Sequence, residues 1–161
     1  MTLADKIAIA LGIVLGVLVT AIATKKWIWP AAGIKWLPYI DVASQQYQLP
    51  PNLLGRLLYE ESAYREDIIT GKKVSSKGAL GIAQFEPPTA RDYGIDPLDP
   101  VQAIDAAGHY LSDLFNEFGD WRKAIAAYNW GRGNVAAHGI DHLPPETAKY
   151  VADIAGDVGL A

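Results

Sequence analysis

The stretch "LLYEESAY", residues 57–64, sets Glu60 and Glu61 side by side among apolar and aromatic residues. Paired carboxyl groups are one route to acid–base chemistry, in which one group gives a proton and the other takes one. Helix geometry tests whether these two can cooperate. With Leu53 at zero and ~100° per residue, Leu57 falls near ~40°, Leu54 near ~100° and Leu58 near ~140°. Glu61 falls near ~80°, in the middle of that leucine stripe, and Glu60 near ~340°, at its edge. Adjacent helical residues do not face each other, so the two do not form a working pair. Glu60 reads as a solvated rim residue that chemistry can dispense with. Glu61 reads as a carboxyl drawn into an apolar wall, where desolvation raises its pKa towards that of a general acid at neutral pH. A structural ion pair between Glu61 and Arg65 at i+4 is the competing reading, and the pattern alone leaves both open.

Other reactive residue types carry weaker signals. His138 and His142 have an i, i+4 spacing that could bind zinc on a helix, but Gly139 and Pro144-Pro145 place them in a loop. "GRGNVA", from Gly131, imitates a dinucleotide fingerprint, yet a helical pattern and no strand precedes it. Ser62 has no neighbouring histidine and points away from Glu61 on the wheel, so it reads as structural.

The elements that must position Glu61 are mostly helical. "PYIDVASQQYQ" puts Tyr39, Val42, Ala43 and Tyr47 on one face of a short amphipathic helix. "LPPNLLGRLLYEESAYRE" opens at a proline pair and continues as a second helix. Residues 67–98 are rich in Gly, Ser, Lys and Pro and read as a long irregular arm with a small β-ribbon. The clearest helix follows: Asp99 as N-cap, Pro100 at N1 and Gly119 past its end, with Ile104, Tyr110, Leu111, Leu114 and Phe118 as core candidates. "WRKAIAAYNW" is a further helix stopped by Gly131-Arg132-Gly133, and "PPETAKYVADIAG" is the last, ending at Gly156. The predicted class is α+β, mostly α.

At 161 residues the chain has room for one domain and an appendage. Half of it is hydrophobic and a fifth charged, a globular composition. The formal charge of −4 argues against nucleic acid as a partner. Absence of cysteine excludes disulfides and thiolate metal sites. The appendage is "IAIALGIVLGVLVTAIAT", Ile7 to Thr24, an uncharged apolar run close to the length that spans ~30 Å of hydrocarbon. Residues 1–26 therefore read as a single transmembrane anchor, with a signal peptide cut after Ala21-Ile22-Ala23 as the alternative. Trp27, Trp29 and Trp36 suit aromatics at headgroup level, and Pro30, Gly33 and Pro38 mark residues 27–37 as a linker to a domain over 38–161.

Four motifs, in order, carry a resemblance: "EESAY", "VSSKGALGIAQFEPPTA", "AAYNWGRGNV" and "ETAKYV". Together they resemble the lysozyme-like lytic transglycosylases of the soluble lytic transglycosylase (SLT) type, over about residues 38–156. That family has a Glu-Ser pair, Ser-x-x-Gly-Ala-x-Gly-Leu-Met-Gln with a following proline, Ala-Tyr-Asn-Ala-Gly, and a late Glu-Thr followed by Tyr-Val. Its catalytic acid is the Glu before Ser, here Glu61, the glutamate the helical wheel also selects. The resemblance implies that Ser75 helps position the substrate N-acetyl group, that Gln84 lies near the cleft, and that Tyr128 and Asn129 lie close to the acid. It implies that Glu146 and Tyr150 close the cleft and support the fold. Ala83 stands where the family has Met, and Trp130 and Arg132 replace its Ala and Pro.

The activity so implied is cleavage of the β-1,4 bond between N-acetylmuramic acid and N-acetylglucosamine in peptidoglycan, with Glu61 as acid and then base, no second carboxylate, and no metal or cofactor. Tyr128 would sit near the acid as a catalytic residue, or equally serve as a core tyrosine. Expected partners are glycan strands, the membrane through the N-terminal helix, and proteins of an envelope-crossing machine or a phage virion. The expected location is the membrane, with the domain facing peptidoglycan on the periplasmic side, or a virion membrane. A goose-type lysozyme-like hydrolase, an idle glycan-binding or assembly module, and a protein whose anchor is its functional part are the alternatives.

Overall fold

The computed structural model describes residues 27–160. The anchor expected over residues 1–26 lies outside them, and among the described residues no helix is long and apolar enough to cross a membrane. After a short 3-10 helix, Ala31–Trp36, the chain forms α1 (Leu37–Gln46), α2 (Leu53–Ser62), α3 (Glu66–Ile69) and α4 (Pro87–Asp92). Then follow α5 (Pro100–Phe118), α6 (Trp121–Trp130), α7 (Arg132–His138) and α8 (Pro145–Val158). The expected β-ribbon reduces to one antiparallel bridge, Leu80 to Phe85, so of the α+β expectation the mostly helical part holds.

α5 forms where its punctuation predicts. The Asp99 carboxylate accepts from the Val101 and Gln102 amides, Pro100 occupies the first turn, and Gly119 closes the helix at φ 64°. Asp120 then caps α6 through the amides of Arg122 and Lys123. α6 is central, packing on α5, α7 and α8, and Ala124, Ile125, Ala126 and Ala127 are fully buried. In α5, Ile104, Leu111 and Leu114 are fully buried, while Tyr110 and Phe118 flank the core.

Four expectations shift. α1 buries Ile40 and Ala43 and leaves Tyr39 and Val42 exposed, because Ala43 and Tyr47 seat against Gly108 of α5. α2 stops at Ser62, since Ala63 and Tyr64 both take left-handed backbone at φ 48° and 53°. The chain does not stay irregular after Gly131 but re-enters a helix, α7. α8 runs through Gly156 to end at Gly159, which takes the left-handed cap at φ 76°.

Residues 27–37, read as a linker, pack on the domain. The Trp29 ring fills the space over Gly55 of α2, where an added Cβ would lie 2.1 Å from it. Trp29 also stacks on Tyr64, and Trp27 lies against Tyr59. The Tyr64 hydroxyl donates to the Gly55 carbonyl at 2.7 Å, tying the left-handed exit of α2 back onto the helix.

Candidate active site

The leucine stripe of α2 is as the wheel places it: Leu53, Leu54, Leu57 and Leu58 are all fully buried. Glu61 continues that stripe at the C-terminal end of the helix, where it lines an open cleft of about 390 Å³. Its partner is Tyr150 of α8, whose hydroxyl donates to Oε1 at 2.5 Å. Arg65 pairs with Asp67 instead, which removes the i+4 ion-pair reading of Glu61. Burial of the carboxyl raises the Glu61 pKa from its ordinary 4.5 to about 7; the Tyr150 hydrogen bond lowers it, and the neighbouring Glu60 charge raises it. A carboxyl poised there gives and takes a proton near neutrality with comparable ease.

Glu60 is held, not idle. Its Oε2 accepts from Nη1 of Arg56 at 2.7 Å, and Nε of Arg56 reaches Asp157 of α8 at 2.9 Å. Arg56 is only 5 % exposed and lies under the Trp27 and Tyr59 rings. Glu60 itself is exposed, as the wheel suggests for a rim residue; what the sequence does not announce is the buried cation beneath it, shared with Asp157. Ser62 proves structural: its hydroxyl donates to the Leu58 carbonyl and accepts the Tyr64 amide.

The irregular arm supplies the facing wall. Leu80 and Phe85 exchange both backbone hydrogen bonds and close a turn over residues 81–84. Gly81, at φ 74°, allows that turn to lie against Pro97; a Cβ there would stand 1.8 Å from the Pro97 carbonyl oxygen. Gln84 is left-handed at φ 48°, and its side-chain amide donates back to the Gly81 carbonyl at 2.9 Å. The Ser75 hydroxyl accepts the Ala79 amide at 2.9 Å, so its own proton is available to an acceptor in the cleft. Ala83 is fully buried, and its carbonyl accepts the Tyr128 hydroxyl at 3.0 Å. Tyr128 lies in the cleft wall with the acid, as expected, but its hydroxyl binds the arm to α6, and the hydrogen bond to Glu61 comes from Tyr150. Asn129 Oδ1 accepts the buried Thr147 hydroxyl at 2.9 Å, which leaves its amide NH₂ for the cleft.

Glu61, Ser75, Gln84, Tyr128 and Asn129 thus line one cavity, and Tyr150 backs the acid from behind. Glu146 does not join them: it is exposed in the first turn of α8, outside the cleft lining. Lys77, Phe85, Glu86, Thr89 and Tyr110 also line the cleft without having been singled out there. Glu86 matters most, because it is a second carboxylate in the cleft where none was expected. It follows the Gln84 motif by two positions, which was the available signal. Among the described residues no cluster of three or more His, Asp or Glu side chains could hold a metal, and His138 ends α7 at Gly139, so His142 does not share its helix.

Comparison with known proteins agrees with this geometry. The chain is 30 % identical over 102 residues to a transglycosylase of Enterobacteria phage PRD1, covering 63 % of this chain and 37 % of that protein. It is 37 % identical over 93 residues to the peptidoglycan transglycosylase gp16 of Escherichia phage T7, covering 52 % of this chain and 7 % of that one. The lytic transglycosylase Slt from Pseudomonas aeruginosa shares the fold at a TM-score of 0.62 and 24 % identity, over 75 % of this chain and 23 % of that one. The chain spans well under two thirds of each of these proteins. Residues 38–142, more than half of the chain, match the Transglycosylase SLT domain family, and the chain belongs to that family.

Proposed function

We propose that the protein is a peptidoglycan lytic transglycosylase that cleaves the β-1,4 bond between N-acetylmuramic acid and N-acetylglucosamine. The observation that carries this reading is the cleft carboxyl of Glu61, paired with no cation among the described residues, bonded to Tyr150 and raised to about pKa 7. Protonated Glu61 gives its proton to the glycosidic oxygen, and the C1–O bond breaks as the N-acetylglucosamine 4-hydroxyl departs. The resulting positive charge at C1 is met by the muramic N-acetyl carbonyl, with the Ser75 hydroxyl and the Asn129 amide positioning that group. Ionised Glu61 then takes the proton of the muramic 6-hydroxyl as that oxygen bonds to C1, giving the 1,6-anhydro product. No water is consumed, and the acid returns to its starting form.

Mass spectrometry of digested cell walls tests this: anhydromuramic ends support the proposal, and reducing muramic ends alone refute it. Glu86 favours one second reading, a hydrolase of the same fold in which Glu86 activates water. Under that reading reducing ends accumulate and Glu86→Gln abolishes them.

The apolar run Ile7 to Thr24 supports a membrane anchor that holds the domain against peptidoglycan, on the periplasmic side or in a virion. The partners would be glycan strands and the proteins of an envelope-crossing machine or phage particle. Retention of the full chain in carbonate-washed membranes tests the anchor; release into the wash rejects it.

A further inference from the structure

A second cavity, of about 480 Å³, opens beside the cleft and shares Thr89 and Tyr110 with it. Beyond those two residues its walls change character: Asp92, Tyr93, His109, Asp113 and Arg132 replace the cleft's mostly neutral lining. The carboxylate and imidazole at its back are fixed in place. Tyr93 donates to Asp113 Oδ2 at 2.5 Å, and His109 Nε2 lies 3.7 Å from Oδ1. The imidazole is held by Tyr47 stacked on one face and Tyr93 edge-on. Arg132 follows Gly131, a residue of the cleft wall, and is oriented by Glu117, which accepts from its Nε and Nη2 and not from Nη1.

We infer that this side cavity receives the peptide stem carried by the muramic acid, with Arg132 meeting a stem carboxylate and Asp92 a stem amine. The inference rests on peptidoglycan being the substrate of the adjoining cleft. The chemistry selects the stem over further sugars. A glycan strand offers hydroxyls and acetamides but no ionised group, because the muramic carboxyl is consumed in the amide to the peptide. Charges of both signs in one small cavity match a chain that carries carboxylates and an amine. Arginine reads a carboxylate by directed donors more strongly than by charge alone. Arg132 stands where the family has proline, so this is a property of this chain rather than of the fold.

The test measures equilibrium binding in the full chain carrying Glu61→Gln, so that turnover plays no part. The ligands are a soluble peptidoglycan fragment bearing its peptide and the same glycan with the peptide removed and the freed muramic carboxyl capped as its methylamide. The peptide-bearing fragment is expected to bind roughly tenfold tighter, and Arg132→Ala to remove most of that difference. Asp92→Asn, on a different helix, is expected to remove a smaller part, which guards against a local folding defect at Arg132. Equal affinity for the two fragments overturns the inference, as does an Arg132→Ala loss that is the same for both. The muropeptide mass analysis decides the lytic reading separately, whatever the binding result.

Discussion

The two sides of α2 solve one problem in opposite ways. At the same level of the helix one glutamate stays exposed beside a buried cation and the other turns into the cleft wall. On one side Glu60 meets Arg56, which also reaches Asp157, so the buried cation has two carboxylate partners. On the other, Glu61 meets a tyrosine hydroxyl and a leucine stripe, and no cation offsets the cost of charging it. Apolar surroundings with one hydrogen bond leave a carboxyl that holds its proton near neutrality, whereas a buried cation fixes a carboxylate. On the proposed mechanism a doubled glutamate is not a doubled acid: Glu60 holds the cation and Glu61 carries the proton.

The comparison breaks most sharply at Glu61 itself. Glu61→Gln is expected to lower cell-wall cleavage by at least ~10²-fold, in the range for loss of a general acid. Its second consequence concerns stability. The folded pKa of about 7 lies above the ordinary 4.5, so the folded chain binds more protons between those values, and wild-type stability falls as pH rises from about 4.5 to about 7. Glu61→Gln removes that fall and should be more stable than wild type at pH ~8, by about 2–3 kcal/mol, with little difference at pH ~4. Thermal melts across pH check it, and parallel wild-type and variant curves would remove the desolvation argument. On the opposite side, Arg56→Met strands two carboxylates beside a core that no longer holds their cation. The expected cost is about 3 kcal/mol in denaturant unfolding. A neutral result would mean the ion pairs contribute nothing to holding α2 against α8.

How much of this was legible follows from distance along the chain. The α5 boundaries are local chemistry, Asp99, Pro100 and Gly119, and the sequence displays them. The depth of Glu61 is also local, since the wheel needs only Leu53 to Glu61. The Tyr150 bond to Glu61 spans 89 residues and the Arg56 link to Asp157 spans 101, and neither has a local signature. Glu60 is exposed as the wheel suggests, but the burial of its partner Arg56 under Trp27 and beside Asp157 of α8 is something the helix cannot announce. The end of α2 was hidden differently. Ala63 and Tyr64 adopt left-handed backbone without being Gly or Asn, and a Ser62 hydroxyl and a tyrosine folded onto Gly55 hold them there. In the arm, Gly81 was visible as a glycine, but its reason, the Pro97 carbonyl, lies across the fold.

The two remaining variants act on Glu61 from opposite sides and must move its titration in opposite directions. Tyr150→Phe removes the bond that lowers the Glu61 pKa, so the alkaline limb of the rate profile should move to higher pH. The carboxyl also loses its anchor, and a maximal rate about tenfold lower is expected from the looser geometry. An unchanged limb would show that Tyr150 only fills space.

Glu60→Gln is the mildest and the most discriminating. It deletes a charge that raises the Glu61 pKa, so the alkaline limb should move to lower pH while the maximal rate stays within about twofold. The amide can still accept from Arg56, and Asp157 keeps its own bond to that cation, so the stability cost should be about 1 kcal/mol or less. A loss of rate comparable to that of Glu61→Gln, with the limb unmoved, would mean that Glu60 takes part in the chemistry. That result would collapse the contrast between the two sides of α2. A limb shifted down with rate retained would establish that Glu60 acts on the acid through its field alone.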